Sequence, residues 1–308
     1  MDNKKIAAIT FDMDELDILR EGYHITDECK PVIYKKAVPR MLEILDEVGI
    51  KATFFIISKD IVNGESKKAV RTIYTMGHEV ANHSANHRHL FNMSLEETRQ
   101  DMLESSKILS EIIGENIVGY RGPSLTLNNH LMEILLELGY EYDSTTNPTL
   151  FFITEWLYLS LISPSKRNSP SWFFVKHAFA PSTPYRIIPP CFFKKSENGK
   201  MIELPISHVP FLQVPFYATF HFLFPFSYHL FKHLYYINKT AVYHAHGLDF
   251  LDINEDNIPP SYTKHPGMNL PWSEKKKYFK KVFTELKNNY SSVGTARDMA
   301  RKISARLI

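Results

Sequence analysis

The sequence predicts an α/β fold built on a parallel sheet or barrel. Three observations carry that prediction. Apolar runs of strand length alternate with amphipathic runs of helix length through the first half of the chain, glycines close several of the helical runs, and polar residues stand where the apolar runs end. In such folds the C-terminal ends of the strands carry the chemistry, so Asp12, His83, Arg121 and Asp143 become candidates by position alone.

Residues 5–12, KIAAITFD, read as a buried strand ending in an acid. Residues 36–49 read as an amphipathic helix with Gly49 at its stop position, and residues 50–57, IKATFFII, as a second buried strand. A helix over 66–77 leads into a third strand, HEVANH. Ser94 and Glu97 form a capping box that opens a helix over 94–114, closed by Gly114. IVGYR, residues 117–121, is a fourth strand; a helix over 126–139 stops at Gly139, and YEYDS follows as a fifth strand.

The alternation breaks after about residue 147. Residues 150–162 are apolar but contain Glu155 and are too short to span a bilayer. Residues 163–200 carry many Pro and Ser and read as irregular loops, and MIELPI, 201–206, resumes as a strand. Residues 211–237 are dense in aromatics, with His221, His229, Lys232 and His233 interspersed. That composition suits a segment lying in a membrane interface, a second small core or a dimer interface. AVYHAH, 241–246, reads as another inner strand, and a final helix covers roughly 273–289.

Composition narrows the function classes. The chain has 308 residues, 44% hydrophobic and 23% charged, which excludes a disordered chain, a fibre and a coiled coil. A net charge of +2 without a basic stripe argues against a nucleic-acid partner. The basic run Lys275 to Lys281 reads as a solvated helix face. The two cysteines, Cys29 and Cys191, support neither a disulfide framework nor a cysteine zinc site. The apolar stretch of about seven residues before Asp12 is too short for the core of a signal peptide, so the cytoplasm is the expected compartment.

The strongest chemical signal is His83-Ser-Ala-Asn-His87. If the segment turns helically, histidines four apart share a face and can hold one metal ion. In Asp12-Met-Asp14, residues two apart in extended chain point the same way, and two such carboxylates repel unless a cation or an arginine balances them. One Asp with two His makes a plausible three-ligand site with positions left for water and substrate. Arg121 stands in GYRGP, and Val242-Tyr-His244-Ala-His246 puts two histidines on one strand face. His244 reads as a packed neighbour of His246, Asp249 as a loop cap, and the pair His229 and His233 as surface or interfacial residues.

The ordered segments TFDMD, KATFFI, GHEVANHSANH, GYRGPS, YDS and VYHAH resemble the polysaccharide deacetylase family, also called the NodB homology domain or carbohydrate esterase family 4, over roughly residues 5–147 and 200–250. HSANH fits the family's H-[ST]-x-x-H metal motif, and RGP resembles its arginine motif. TFDMD carries one residue more than the usual TFDD and is similar to the D-x-D branch, which includes a deformylase of undecaprenyl-phosphate-linked aminoarabinose. The tryptophan usual in the fourth motif is not evident near Asp143.

The resemblance implies a distorted (β/α)7-type barrel in a single domain over 1–308, with an aromatic-rich insertion at about 148–240. It implies that Asp14, His83 and His87 hold a divalent metal, zinc first, with cobalt, nickel or manganese also accepted by such a mixed site. Asp12 would be the general base, Arg121 its charge partner and His246 the general acid. Tyr120, Pro123 and Asp143 would contact substrate, and a backbone N–H near Tyr120 or Ser84 would help to hold the oxyanion. The implied reaction is metal-dependent hydrolysis of an N-acyl amino sugar in a polysaccharide or a polyprenyl-linked glycan, with peripheral contact at the inner face of a membrane. The alternatives are a metal-free cyclic-amide hydrolase of the same fold and an inactive glycan-binding relative.

Overall fold

The structure is a computed structural model that describes residues 4–61, 63–150 and 171–306. The apolar run expected over 150–162 lies, apart from Leu150, outside the described residues. The elements are β1 (Ile6–Asp12), α1 (Leu16–Tyr23), α2 (Val38–Val48), β2 (Thr53–Ile56), α3 (Gly64–Thr75), β3 (Glu79–Asn82), α4 (Leu95–Ile113), β4 (Gly119–Tyr120), α5 (Leu131–Glu137) and β5 (Tyr142–Asp143). They continue as α6 (Ser171–Ala178), β6 (Tyr185–Ile187), β7 (Met201–Glu203), α7 (Ala218–Leu223), α8 (Ser227–Tyr235), β8 (Thr240–His246), α9 (Trp272–Asn289), β9 (Ser292–Gly294) and α10 (Ala296–Arg306).

The strands form one curled sheet in the order β6-β7-β5-β4-β3-β2-β1-β8, parallel except for the β6–β7 pair, with β9 beside the first half of β1. The ends of the curl approach each other through isolated bonds rather than a ladder. Ser207 N–H donates to Val242 O at 3.0 Å and His244 N–H to Phe216 O at 3.4 Å. This is the distorted α/β barrel that the alternation predicts, and β7, inside the span 148–240, is one of its strands.

Alternation along β1 sorts its side chains into two environments. Ala7, Ile9, Phe11 and Met13 pack in the large core under the helices, whereas Ile6 and Ala8 join a smaller core inside the curl. That inner core is floored by Ala296, Met299, Ala300 and Ile303 of α10. Thr10, Asp12 and Asp14 continue the inner row above it, so the lining turns from apolar to charged toward the strand's C-terminal end.

Three differences from expectation have physical causes. The helix expected over 126–139 starts only at Leu131, because Asn128 Oδ1 accepts the N–H groups of His130 and Leu131 and holds the preceding residues in a turn. The chain does not end its helices at 273–289. α10 follows, and its first amides are held by side chains of the sheet: Ala296 N–H donates to Thr53 Oγ1 at 2.7 Å and Arg297 N–H to Glu79 Oε2 at 2.9 Å. The aromatic stretch 211–237 forms α7 and α8, whose inward aromatics join the large core rather than a second one, with Phe216 stacked on Tyr235 at 4.3 Å and His221 bonded to the hydroxyls of Tyr278 and Tyr235.

Candidate active site

The inner rows of β1, β3, β4 and β8 end in one cavity of about 330 Å³. Asp12, Asp14, His83, His87, His244 and His246 line it together with Tyr217, Thr219, Leu248 and His265. Asp12 and Asp14 reach it from the same face of β1, as the two-residue spacing requires, while Met13 between them is fully buried in the outer core.

HSANH meets the cavity by a different route from the helical turn expected. Ser84 (φ 72°) and His87 (φ 54°) are both left-handed, and Ser84 Oγ accepts His87 N–H at 2.9 Å. Two left-handed residues fold the segment back so that both imidazoles face Asp14. Non-glycine residues held there cost about 1–3 kcal/mol each, a strain that accompanies functional sites.

Asp14 Oδ1 lies 3.5 Å from His83 Nε2 and 3.5 Å from His87 Nε2. It is buried and has no hydrogen-bond partner. His83 Nδ1 lies 2.7 Å from the carbonyl oxygen of Arg121, which can only accept, so the imidazole donates there. A neutral His83 therefore turns a lone pair, not a proton, toward Asp14. Three lone pairs converging in a buried space need a proton or a cation between them. Two ligands of a tetrahedral ion, each about 2.0–2.1 Å from it, stand roughly 3.4 Å apart. The observed spacing fits a divalent metal.

Burial raises the Asp14 carboxyl, but His87 and His83 outweigh it and bring it to about 2. Burial lowers the His87 imidazole to about 4. Burial also opposes charge on His83, yet Asp12 and Asp14 lift it above the ordinary value. Asp14 is thus held ionised and His87 neutral, while the field of the two carboxylates draws positive charge toward His83, the setting in which a cation is held.

Arg121 is fully buried and uses all five donors. Nε and Nη2 bind Ser144 O and Ser144 Oγ at 2.8 and 2.9 Å, Nη2 also reaches Thr10 Oγ1 at 3.1 Å, and Nη1 binds Asp12 Oδ1 at 2.8 Å and His244 Nδ1 at 3.0 Å. Its guanidinium lies over the Phe55 ring at 4.2 Å. Burial pushes the Asp12 carboxyl up, but Arg121 and the neighbouring histidines hold it well below the carboxylate range.

His244 is therefore more than a packed neighbour. Arg121 donates to Nδ1, which places the proton of the neutral ring on Nε2, 3.8 Å from Asp12 Oδ2. Asp12, His244 and His246 form a second group with metal-like spacing. A protonated Nε2 has no lone pair to offer, so this group is poorly suited to a second ion.

His246 lies opposite Asp12 in register and turns Nε2 toward Asp14 Oδ2 at 4.0 Å. Asp249, expected as a loop cap, does cap: its Oδ2 accepts His246 N–H at 2.8 Å. It also stands 3.7 Å from His246 Nδ1, with Thr219 Oγ1 3.3 Å from both. Burial lowers the His246 imidazole, but Asp249 and Asp14 raise it to about 9.

The expected substrate contacts fall elsewhere. Tyr120 precedes inward-facing Arg121 and so faces the outer core. Asp143 likewise shares the outer face with Glu203, bonds Thr145 Oγ1 at 2.7 Å and is fully buried; its neighbour Ser144 is the residue that reaches the site. Pro123 is buried, while the next two residues, Ser124 and Leu125, line the cavity. Ser84 N–H is taken by Asn82 Oδ1 at 2.7 Å and is not free for an oxyanion. Tyr217, Thr219 and His265 were not anticipated, since they come from segments without periodic signal.

Comparison with known proteins places this arrangement. Residues 1–142 match the family model described as polysaccharide deacetylase. The chain is 28% identical over 139 residues to a peptidoglycan-N-acetylglucosamine deacetylase of Bacillus cereus, covering 45% of this chain and 55% of that protein. It is 26% identical over 106 residues to a peptidoglycan deacetylase of Helicobacter pylori, covering 34% and 36%. The chain thus spans about half or less of the length of these curated relatives. A crystal structure from Mycobacterium smegmatis, assigned as a polysaccharide deacetylase, superposes with a TM-score of 0.61 at 19% identity over 99% of this chain and 92% of that one. Puue allantoinase superposes with a TM-score of 0.60 at 14% identity over the same shares. At these identities the two structures share the fold.

Proposed function

We propose that this chain, whose residues 1–142 match the polysaccharide deacetylase family model, hydrolyses the N-acyl group of an amino sugar with a divalent metal, zinc first, held by Asp14, His83 and His87. The observation that supports this most is the buried Asp14 Oδ1, unpartnered and 3.5 Å from both imidazole nitrogens. When bound, such an ion supplies Lewis acidity, polarising an acyl carbonyl and acidifying a water.

The chain's own residues then divide the proton traffic. Arg121 holds Asp12 Oδ1, leaving Oδ2 toward the cavity to take the proton of the attacking water. A carboxylate held so low accepts a proton only from a strongly acidified water, which suits a base beside a cation. His246, kept protonated at neutral pH by Asp249, gives its Nε2 proton to the departing amine nitrogen. His244 Nε2–H steadies the charge on Asp12 Oδ2 from the other side.

The substrate reading is a single N-acyl amino sugar carried on a polyprenyl lipid. A cavity of about 330 Å³ is at the small end for ligand sites and suits one ring with its acyl group. Ile18, Leu19, Tyr23, Leu125 and Leu248 give it apolar walls. The names of the relatives point instead to peptidoglycan, so both classes belong in the assay. Elemental analysis should find stoichiometric divalent metal in the native protein and none in His83→Ala. A native chain without metal, after exposure to zinc, overturns the reading; faster release of acyl group from soluble glycan oligomers than from lipid-linked sugars overturns the substrate class.

A further inference from the structure

We propose that the outer face of α7 and α8 docks on a phospholipid bilayer surface bearing anionic headgroups, next to the mouth of the cavity; this rests on the lipid-linked reading above and adds the surface that would serve it. Helices on a protein surface normally turn apolar residues inward. α8 does so with Tyr228 and Tyr235, yet it is also apolar outward. Phe226 at its start (84% exposed), Leu230 (70%), Leu234 (36%) and Ile237 just beyond its end (62%) recur four, four and three residues apart, so they form one exposed stripe. Leu223 and Phe224, in the turn from α7, are about half exposed. The turn carrying Phe211, which is 100% exposed, abuts the C-terminal end of α8, where Asn238 Nδ2 donates to His208 O at 3.1 Å. An exposed patch of this kind marks an interaction surface.

Charge selects the occupant. From Pro205 to Leu248 the chain holds no Asp or Glu, although 34 acids in 308 residues would put about five in such a stretch. The same stretch carries Lys232 and Lys239, and of its six histidines His229 and His233 are exposed on α8, whereas His208, His221 and His244 are buried and His246 lines the cavity. Lys281 of α9 adds its charge beside His229, 3.4 Å away, and the nearby Glu285 is balanced by Lys232 at 3.7 Å. An apolar stripe flanked by Lys239 and Lys281, with the neighbouring Glu285 paired to Lys232, is the pattern of a segment lying in the headgroup layer of an anionic leaflet. A second copy of this chain would bring the same cations to the same face and repel. Position gives the surface a use. Tyr217 and Thr219, at the entry to α7, line the cavity, so a lipid-borne sugar could enter from the docked side.

The test uses the full chain and sedimentation with vesicles of phosphatidylcholine alone or of equal parts phosphatidylcholine and phosphatidylglycerol. The native chain should sediment with the anionic vesicles at least tenfold more than with the neutral ones. The variant Phe226→Ser with Leu230→Ser and Ile237→Ser, all outward-facing, should lose at least tenfold of that binding while keeping its thermal midpoint and metal content. No sedimentation with either vesicle overturns the proposal. So does light scattering that shows a native dimer and a monomeric variant, since a second copy would then cover the face. Metal content and hydrolysis of a soluble N-acyl sugar read the proposed function separately.

Discussion

Asp12 and His244 share one nitrogen of Arg121: Nη1 lies 2.8 Å from the carboxylate Oδ1 and 3.0 Å from the imidazole Nδ1. The guanidinium fork sets the charge of the first and the tautomer of the second. Arg121→Lys offers three donors from one point and cannot span five acceptors. We expect kcat to fall at least 100-fold while metal content is retained. Unfolding free energy should fall by about 3 kcal/mol, because a buried carboxylate loses its partner. Steady-state kinetics and urea unfolding check both.

Metal binding should stabilise the fold, since Asp14, His83 and His87 converge only in the native chain. Zinc at a hundred times its Kd adds about 2.7 kcal/mol by mass action. Chelation should lower the thermal midpoint of the native protein and leave that of His83→Ala unmoved. Scanning calorimetry with and without chelator separates these outcomes.

His246 acts as an acid only when protonated. Asp249 and Asp14 raise its titration to about 9, and a cation on Asp14 would offset part of that rise, so the alkaline limb of the loaded enzyme should lie below that pH. Asp249→Asn removes one of the two charges and should move the alkaline limb of the pH–rate profile to lower pH. His246→Gln should cost about 100-fold or more in kcat with metal retained. An unmoved limb in Asp249→Asn would remove Asp249 from the role of positioning residue.

His177 and His221 are buried as neutral rings, and burial lowers each to about 3. Unfolded imidazoles titrate near about 6.5. Below that pH the unfolded chain takes up protons that the native chain refuses. Their contribution is therefore complete above about pH 6.5 and is lost as pH falls, at up to about 1.4 kcal/mol per pH unit for each. Urea unfolding across this window should show stability falling with acidity, and His221→Phe should give a shallower slope.

The first half of the fold was legible because each strand and helix there carries its own period, and β1 shows why the site was legible too. Its alternation places Asp12 and Asp14 on one face whatever the rest of the chain does. The same rule, applied one residue more strictly, separates Arg121 from Tyr120 and Ser144 from Asp143. Those two substrate assignments failed by parity, not by place in the chain. The spacing in HSANH singles out His83 and His87, but the left-handed residues at Ser84 and His87 that turn both rings toward Asp14 leave no mark in composition. α10 was missed because tertiary partners, Thr53 and Glu79, start it. The role of His244 depends on a hydrogen bond from a residue 123 positions away, which no local pattern records.

That separation has a consequence for how the protein comes into being. Arg121 is tied to Asp12 across 109 residues and to His244 across 123, and β8 lies directly beside β1. A nascent chain leaving the ribosome holds Asp12, Asp14, His83 and His87 long before His244 and His246 emerge. Until His244 and His246 have been synthesised and seated against β1, the reactive cavity lacks one wall. On the proposed function, a product released before β8 is made would lack both of these histidines and one partner of Arg121, and should show no hydrolysis.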